Sequence, residues 1–255
     1  MKIFCCNIKP IKIVFSFLII GVILCSLLCI TKSQTVFLGY AARRVPIYYV
    51  DTDTKKICLT FDAAYGCDET KEIIKILKEN NVPATFFLVG FWVDKYPDLV
   101  KLLDESGIEI GTHSNTHPFM SKLSGEQMRN ELELSINKIK DITGKDVKIF
   151  RPPYGDYNDL LINTCDSMNI KTIQWSVDSL DWKGLNTSQM MARIQNDIAS
   201  GGIILFHNNS EHIVEALPTI IAFLKEQGYQ MTTVSDLIYE DNYTIDNNGK
   251  QIKNT

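Results

Sequence analysis

From Ile57 onward the chain alternates short apolar runs with longer stretches in which apolar residues recur every three or four positions. The runs 57–61, 84–89, 108–110, 148–150, 171–175, 202–206 and 229–233 have the length of buried strands, and the stretches between them have the spacing of amphipathic helices. Seven such strand and helix repeats predict a parallel α/β barrel. The helices carry their own punctuation. Ser124-Gly-Glu-Gln127 reads as a capping box, Met128, Leu132, Ile136, Ile139 and Ile142 form one apolar stripe, and Gly144 ends it. Pro97 opens a helix that Gly107 closes, and Thr187 caps another.

Two segments break this rhythm. Ile13 to Ile30 is a run of 18 uncharged residues, the lower limit for a helix that crosses a bilayer. Lys2, Lys9 and Lys12 precede it and only Lys32 follows closely, which places residues 1–12 in the cytoplasm and the rest outside. A cleaved signal peptide is the competing reading, but the run exceeds a usual signal core and no small-x-small pattern follows Ile30 directly. The division expected is a cytoplasmic start (1–12), a membrane anchor (13–30), a connector (31–54) that lays one strand on the domain, a catalytic domain (55–238) and a polar, Asn-rich tail (239–255) that reads as disordered.

Charge narrows the ligand. The first 44 residues hold six Lys and Arg and no acid, so the other 20 basic side chains face 30 acidic ones, a balance of about −10. Such a surface argues against nucleic acid or anionic lipid, since both need a cationic face to displace counterions. A neutral glycan is compatible. Of seven Cys, only Cys58, Cys67 and Cys165 lie beyond the apolar run, in no zinc-like spacing, so buried thiols are the expectation, with Cys67 close to the candidate site.

Five motifs then stand out, and three of the four histidines fall inside them: Thr60-Phe-Asp62, His113-Ser-Asn-Thr-His117, Arg151-Pro-Pro-Tyr154, Asp178-Ser-Leu-Asp-Trp182 and Leu205-Phe-His207. Each lies at or just after the carboxyl end of a predicted strand, the end where parallel barrels collect functional groups. His113 and His117, spaced i to i+4, put two imidazoles on one side of a turn, which is half a metal site.

In this order the motifs resemble the NodB-homology polysaccharide deacetylases, of carbohydrate esterase family 4 type, over residues 55–238. The strings Phe61-Asp-Ala-Ala-Tyr-Gly66, Gln174 to Trp182 and Leu205-Phe-His-Asn208 are most similar to the sporulation-associated branch of that family. The resemblance implies a distorted (β/α)7 barrel that removes N-acetyl groups from peptidoglycan-type sugars with a divalent metal, Zn²⁺ for instance, on His113 and His117. It implies Asp62 as general base, Arg151 as its partner, and the Tyr154 N–H as an oxyanion donor. His207 is then the general acid, Asp178 the carboxylate that orients it, and Trp182 and Leu205 the apolar walls around the acetyl methyl. The family usually carries a second aspartate after the first, as a metal ligand, and here that position is Ala63. Water fills the gap, Asp62 or Asp68 swings in, or metal affinity is lost. A catalytically silent glycan-binding or morphogenetic protein is the alternative of another class, and a glycosidase ranks last because the histidine pair has no role there.

Overall fold

The computed structural model describes residues 43–254. The expected span at 13–30 lies outside them, and among the described residues no helix is long and apolar enough to cross a membrane. The chain enters along β1 (Tyr49–Val50) and then builds β2 (Lys56–Ala63), α1 (Thr70–Glu79), β3 (Thr85–Leu88), α2 (Gly90–Lys95), α3 (Pro97–Glu105), β4 (Glu109–Thr112) and α4 (Gly125–Thr143). It continues through β5 (Ile149–Phe150), α5 (Asp159–Ser167), β6 (Lys171–Thr172), β7 (Val177–Asp178), α6 (Thr187–Asp197), β8 (Ile203–His207), α7 (Ile213–Glu226), β9 (Gln230–Thr232) and α8 (Val234–Leu237). A hairpin, β10 (Tyr243–Ile245) and β11 (Lys250–Lys253), completes it.

The central sheet runs β6-β5-β4-β3-β2-β8-β7, with every pair parallel and β9 joined to the start of β2. This is an α/β fold around a curled parallel sheet. Strands 56–63 and 203–207 are buried almost throughout, because a parallel sheet covered by helices exposes neither face. The core joins Phe61, Phe86 and Phe206, whose rings stack with centres 4.8 and 5.4 Å apart, to the inner stripes of α1 and α7.

The gap between the two ends of the sheet is bridged by the connector. The Ile47 N–H donates to the Thr172 carbonyl at 3.0 Å, its carbonyl accepts from the Gln174 N–H at 2.7 Å, and the Val50 N–H donates to the Gly201 carbonyl at 3.0 Å. Only glycine fits at 201, where φ is +77° and a Cβ would run into the Val50 carbonyl.

Several expectations need correction. The tail is not disordered along its length: β11 pairs antiparallel with β10 and parallel with β1, and the buried Gln251 amide exchanges hydrogen bonds of 2.8 and 2.7 Å with the Tyr239 backbone. Asn and Asp read there as solvated chain because the burial comes from a neighbour about 200 residues away in sequence. The cap of α6 is Asn186, which forms a capping box with Gln189, and Thr187 is the first helical residue. By contrast, the Ser124 and Gln127 box and the left-handed Gly144 stand where the spacing put them. Strand β7 had no apolar run to reveal it. Cys58 and Cys165 are buried free thiols, and Cys67 is half-buried and free.

Candidate active site

Parallel pairing places Asp62, at the end of β2, directly beside His207, at the end of β8. Asp62 also registers with Phe87, and the next position of that neighbour pairs with Thr112, the residue before His113. The open end of the sheet thus gathers Asp62, His113, His117, Tyr154, Asp178, Trp182, Leu205 and His207 around a cleft of about 650 Å³, together with Ala64, Tyr65, Trp175 and Asn209.

Asp62 is buried, and Arg151 Nη1 donates to its Oδ1 at 2.8 Å. Arg151 is wholly buried, with Nη2 donating to the Gln174 carbonyl at 3.1 Å and its guanidinium 4.2 Å from the centre of the Phe87 ring and 5.7 Å from that of Trp175. Burial alone would raise the Asp62 pKa, but the charge of Arg151, with His113 and His207 behind it, outweighs that and holds the carboxyl below the usual carboxylate range.

His207 is the opposite case. Burial would make its imidazole easier to deprotonate, but the hydrogen bond and charge of Asp181 outweigh burial and raise the pKa above the ordinary histidine value. Asp181 Oδ1 lies 2.8 Å from His207 Nδ1, and Oδ2 accepts from the His207 backbone N–H at 2.7 Å. The carboxylate fixes Nδ1 as a donor and leaves Nε2 for the cleft.

The role expected of Asp178 therefore belongs to Asp181. Asp178 lines the cleft, but its Oδ1 accepts from the Leu180 N–H at 2.9 Å, closing a turn in which Leu180 is left-handed at φ +53°. Both aspartates lie in one five-residue motif, and the two hydrogen bonds to His207 show which of them faces the imidazole.

His113 Nδ1 is 2.7 Å from the Arg151 carbonyl, which makes it the donor and leaves Nε2 3.5 Å from Asp62 Oδ2. The two histidine rings are 5.0 Å apart, edge to face. Burial, more than any charge, lowers the pKa of both and pushes His117 down to about 4. Both are neutral at physiological pH, as a metal ligand must be. Among the described residues His117 Nδ1 is buried without a hydrogen-bond partner. Yet no group of three His, Cys, Asp or Glu closes on a common point there. Ala63 is fully buried in the apolar cluster, and Asp68 does not line the cleft. The donor set fits a divalent ion held by two imidazoles, one protein ligand short of a usual catalytic zinc site.

The loop that carries these histidines is held by a residue the sequence reading passed over. Glu131 on α4 is buried, and its carboxylate accepts from the Asn115 N–H at 2.9 Å, the Thr116 N–H at 2.7 Å and the Thr116 hydroxyl at 2.8 Å. Those bonds oppose the strain of Ser114 at φ +72° and His117 at φ +60°. Its signal was present, since an acid one position before Leu132 and three after Met128 falls on the buried stripe. Tyr154 is also left-handed, at φ +59°, and projects its ring into solvent over His117. Leu205 and Trp175 give the cleft apolar lining, together with the exposed Trp182.

The polysaccharide deacetylase family model matches residues 49–173. Peptidoglycan-N-acetylmuramic acid deacetylase PdaA of Bacillus subtilis is 33% identical over 197 residues, covering 76% of this chain and 75% of that protein. Peptidoglycan-N-acetylglucosamine deacetylase of Bacillus cereus is 32% identical over 186 residues, covering 71% and 68%. Among solved structures, BA3943 of Bacillus anthracis, described as a pseudoenzyme of carbohydrate esterase family 4, superposes with a TM-score of 0.74 at 33% identity over 83% of this chain and 73% of its own. A mutant of BA3943 described as having restored enzymatic activity matches with a TM-score of 0.73 at 36% identity over 81% and 72%. The chain belongs to the polysaccharide deacetylase family, a family of hydrolases.

Proposed function

We propose that the protein removes N-acetyl groups from a cell-wall or spore-cortex glycan of peptidoglycan type, working outside the cytoplasmic membrane on an anchor formed by residues 13–30. The observation that carries the reading is the paired support of two groups with opposite pKa shifts, Asp62 held ionised by Arg151 and His207 held protonated by Asp181. A base and an acid separated in this way are what amide hydrolysis needs, and a purely binding protein needs neither.

In the reaction the acetamide is seated with its methyl against Leu205 and Trp175 under Trp182. Asp62 takes a proton from water, whose oxygen adds to the carbonyl carbon. The Tyr154 N–H stabilises the oxygen on which charge develops. His207 gives its Nε2 proton to the sugar nitrogen, the carbon–nitrogen bond breaks, and acetate and the free amine leave. A divalent ion on His113 and His117 would, when bound, polarise the carbonyl and acidify the water.

Acetate release from N-acetylated peptidoglycan, with and without added Zn²⁺, tests the reading. One observation favours a second: Ala63 is buried in apolar surroundings where the family's usual metal ligand stands, and the chain is similar to a pseudoenzyme. On that reading the cleft binds glycan without hydrolysing it, and glycan binding without acetate release at any metal concentration is its signature. An intact mass that begins at Met1 supports the anchor, and one that begins near Ser33 or Arg43 replaces it with a cleaved leader.

A further inference from the structure

The turn that follows Arg151 bends through two left-handed residues in succession, Tyr154 at φ +59° and Gly155 at φ +67°. Glycine takes that conformation freely, but tyrosine does not, and a strained backbone persists only where its surroundings hold it. On one flank the Asp156 carboxylate accepts from the Ser121 N–H at 2.7 Å and from the Ser121 hydroxyl at 2.8 Å. Elsewhere the turn rests on Gln174. The side-chain Nε2 of Gln174 donates to the Gly155 carbonyl at 3.1 Å. The fit is close: a Cβ added to Gly155 would stand 3.1 Å from the Trp175 ring and 3.3 Å from Gln174 Oε1.

Gln174 is buried and is held by its own main chain. Its N–H donates to the Ile47 carbonyl at 2.7 Å, which ties it to the connector, and its carbonyl accepts from Arg151 Nη2 at 3.1 Å. Arg151 in turn donates to Asp62 at 2.8 Å. One residue therefore braces two parts of the site. Its main-chain carbonyl steadies the arginine behind the base, and its side-chain amide steadies the turn that carries the Tyr154 N–H. Packing does not require the amide, since methionine would fill much the same volume, and a buried amide is costly unless it is bonded. Gln174 does not line the cleft, so it acts through other groups.

We propose that Gln174 is a positioning residue for the reaction: its side-chain amide fixes the Tyr154–Gly155 turn, so that the Tyr154 N–H meets the acetamide oxygen as charge develops there. The role rests on the deacetylase reading and adds to it a residue that the motifs did not assign.

The test compares acetate release from soluble N-acetylated peptidoglycan fragments by the full wild-type chain, by Gln174→Met and by Gly155→Ala, with the fold of each checked by circular dichroism. Gln174→Met removes the donor and keeps the main-chain carbonyl, and Gly155→Ala disturbs the same contact from the other side. Each should lower kcat about tenfold or more with KM within about twofold, because a misplaced oxyanion donor is missed only in the transition state. The double variant should lose little more than either single one, since both break one contact. In Gln174→Met the acidic limb of the pH–rate profile should stay in place, because the carbonyl that braces Arg151, and through it Asp62, is untouched. Should Gln174→Met not fold, Gly155→Ala carries the same split between kcat and KM. Unchanged kcat in a folded variant, a loss confined to KM, or losses that add in the double variant overturn the proposal. A shifted acidic limb in Gln174→Met also overturns it, by placing the side chain's effect at Arg151 and not at the turn. A wild-type protein that releases no acetate removes the deacetylase reading and this role with it, whereas an active wild type with unaffected variants removes this role alone.

Discussion

On one side of the mouth each proton-handling group has a buried partner: Arg151 donates to Asp62 at 2.8 Å, and Asp181 grips His207 through both its ring and its backbone. On the other side His113 and His117 are oriented with the same care, by the Arg151 carbonyl and by the loop that Glu131 secures, but the position of the family's second aspartate is Ala63, which is buried in the apolar cluster and supplies no ligand. The two sides share Arg151 and meet where His113 Nε2 lies 3.5 Å from Asp62 Oδ2. In the proposed reaction the base and the acid draw on charges the protein itself supplies, and carbonyl activation draws on whatever two neutral imidazoles can hold.

The largest effect should come from the complete side. Asp62→Asn and His207→Ala are each expected to lower acetate release by a factor of about 10² or more with the fold intact by circular dichroism, since the base and the acid act in successive transfers. Near-normal turnover in either would remove the proposed division of labour.

Next is the partner of the acid. Asp181→Asn should bring the His207 pKa down and move the alkaline limb of the pH–rate profile to lower pH, because less imidazole stays protonated above neutrality. Asp178→Asn, which removes only the smallest of the charges that raise the His207 pKa, should move that limb far less. The sign carries over to stability: a histidine whose folded pKa is raised stabilises the fold fully below its unfolded value of about 6.5, and that contribution fades as pH rises through the folded value. Asp181→Asn should flatten this dependence in thermal melts from acidic to mildly alkaline pH. An unmoved limb in Asp181→Asn, or a larger shift in Asp178→Asn than in Asp181→Asn, would return the orienting role to Asp178.

The smaller effect lies on the loop. Glu131→Ala leaves three donors without their acceptor and should cost about 1–3 kcal/mol in urea unfolding, with Glu131→Gln milder. It should also weaken Zn²⁺ binding, since both histidines sit at the ends of the loop that Glu131 holds. Loss of stability with unchanged metal affinity would mean that the carboxylate supports the fold alone.

How much of this the sequence revealed follows from the range of the forces. The seven apolar runs and the capping box at Ser124 are local patterns, and the central strands and α4 stand where those patterns lie. Eight of the nine proposed site residues line one mouth, with Arg151 buried beside Asp62, because all nine lie at or near the carboxyl ends of parallel strands, and strand ends are legible. What was not legible required partners far along the chain. The tail hairpin is held by β1, the sheet gap is bridged through Ile47, and the choice between Asp181 and Asp178 is made by hydrogen bonds to His207, 26 residues beyond Asp181.

The difference between the two sides of the mouth is tested most directly by acetate release from N-acetylated peptidoglycan as a function of Zn²⁺ concentration, for the wild-type protein and for Ala63→Asp. Two imidazoles alone should require more metal, and the added carboxylate should lower the half-saturating concentration by about tenfold or more, because a buried carboxylate is stable there only when it is paired with the ion. If the wild-type protein releases no acetate at any metal concentration while Ala63→Asp does, the complete acid and base are a remnant and the silent glycan-binding reading is correct.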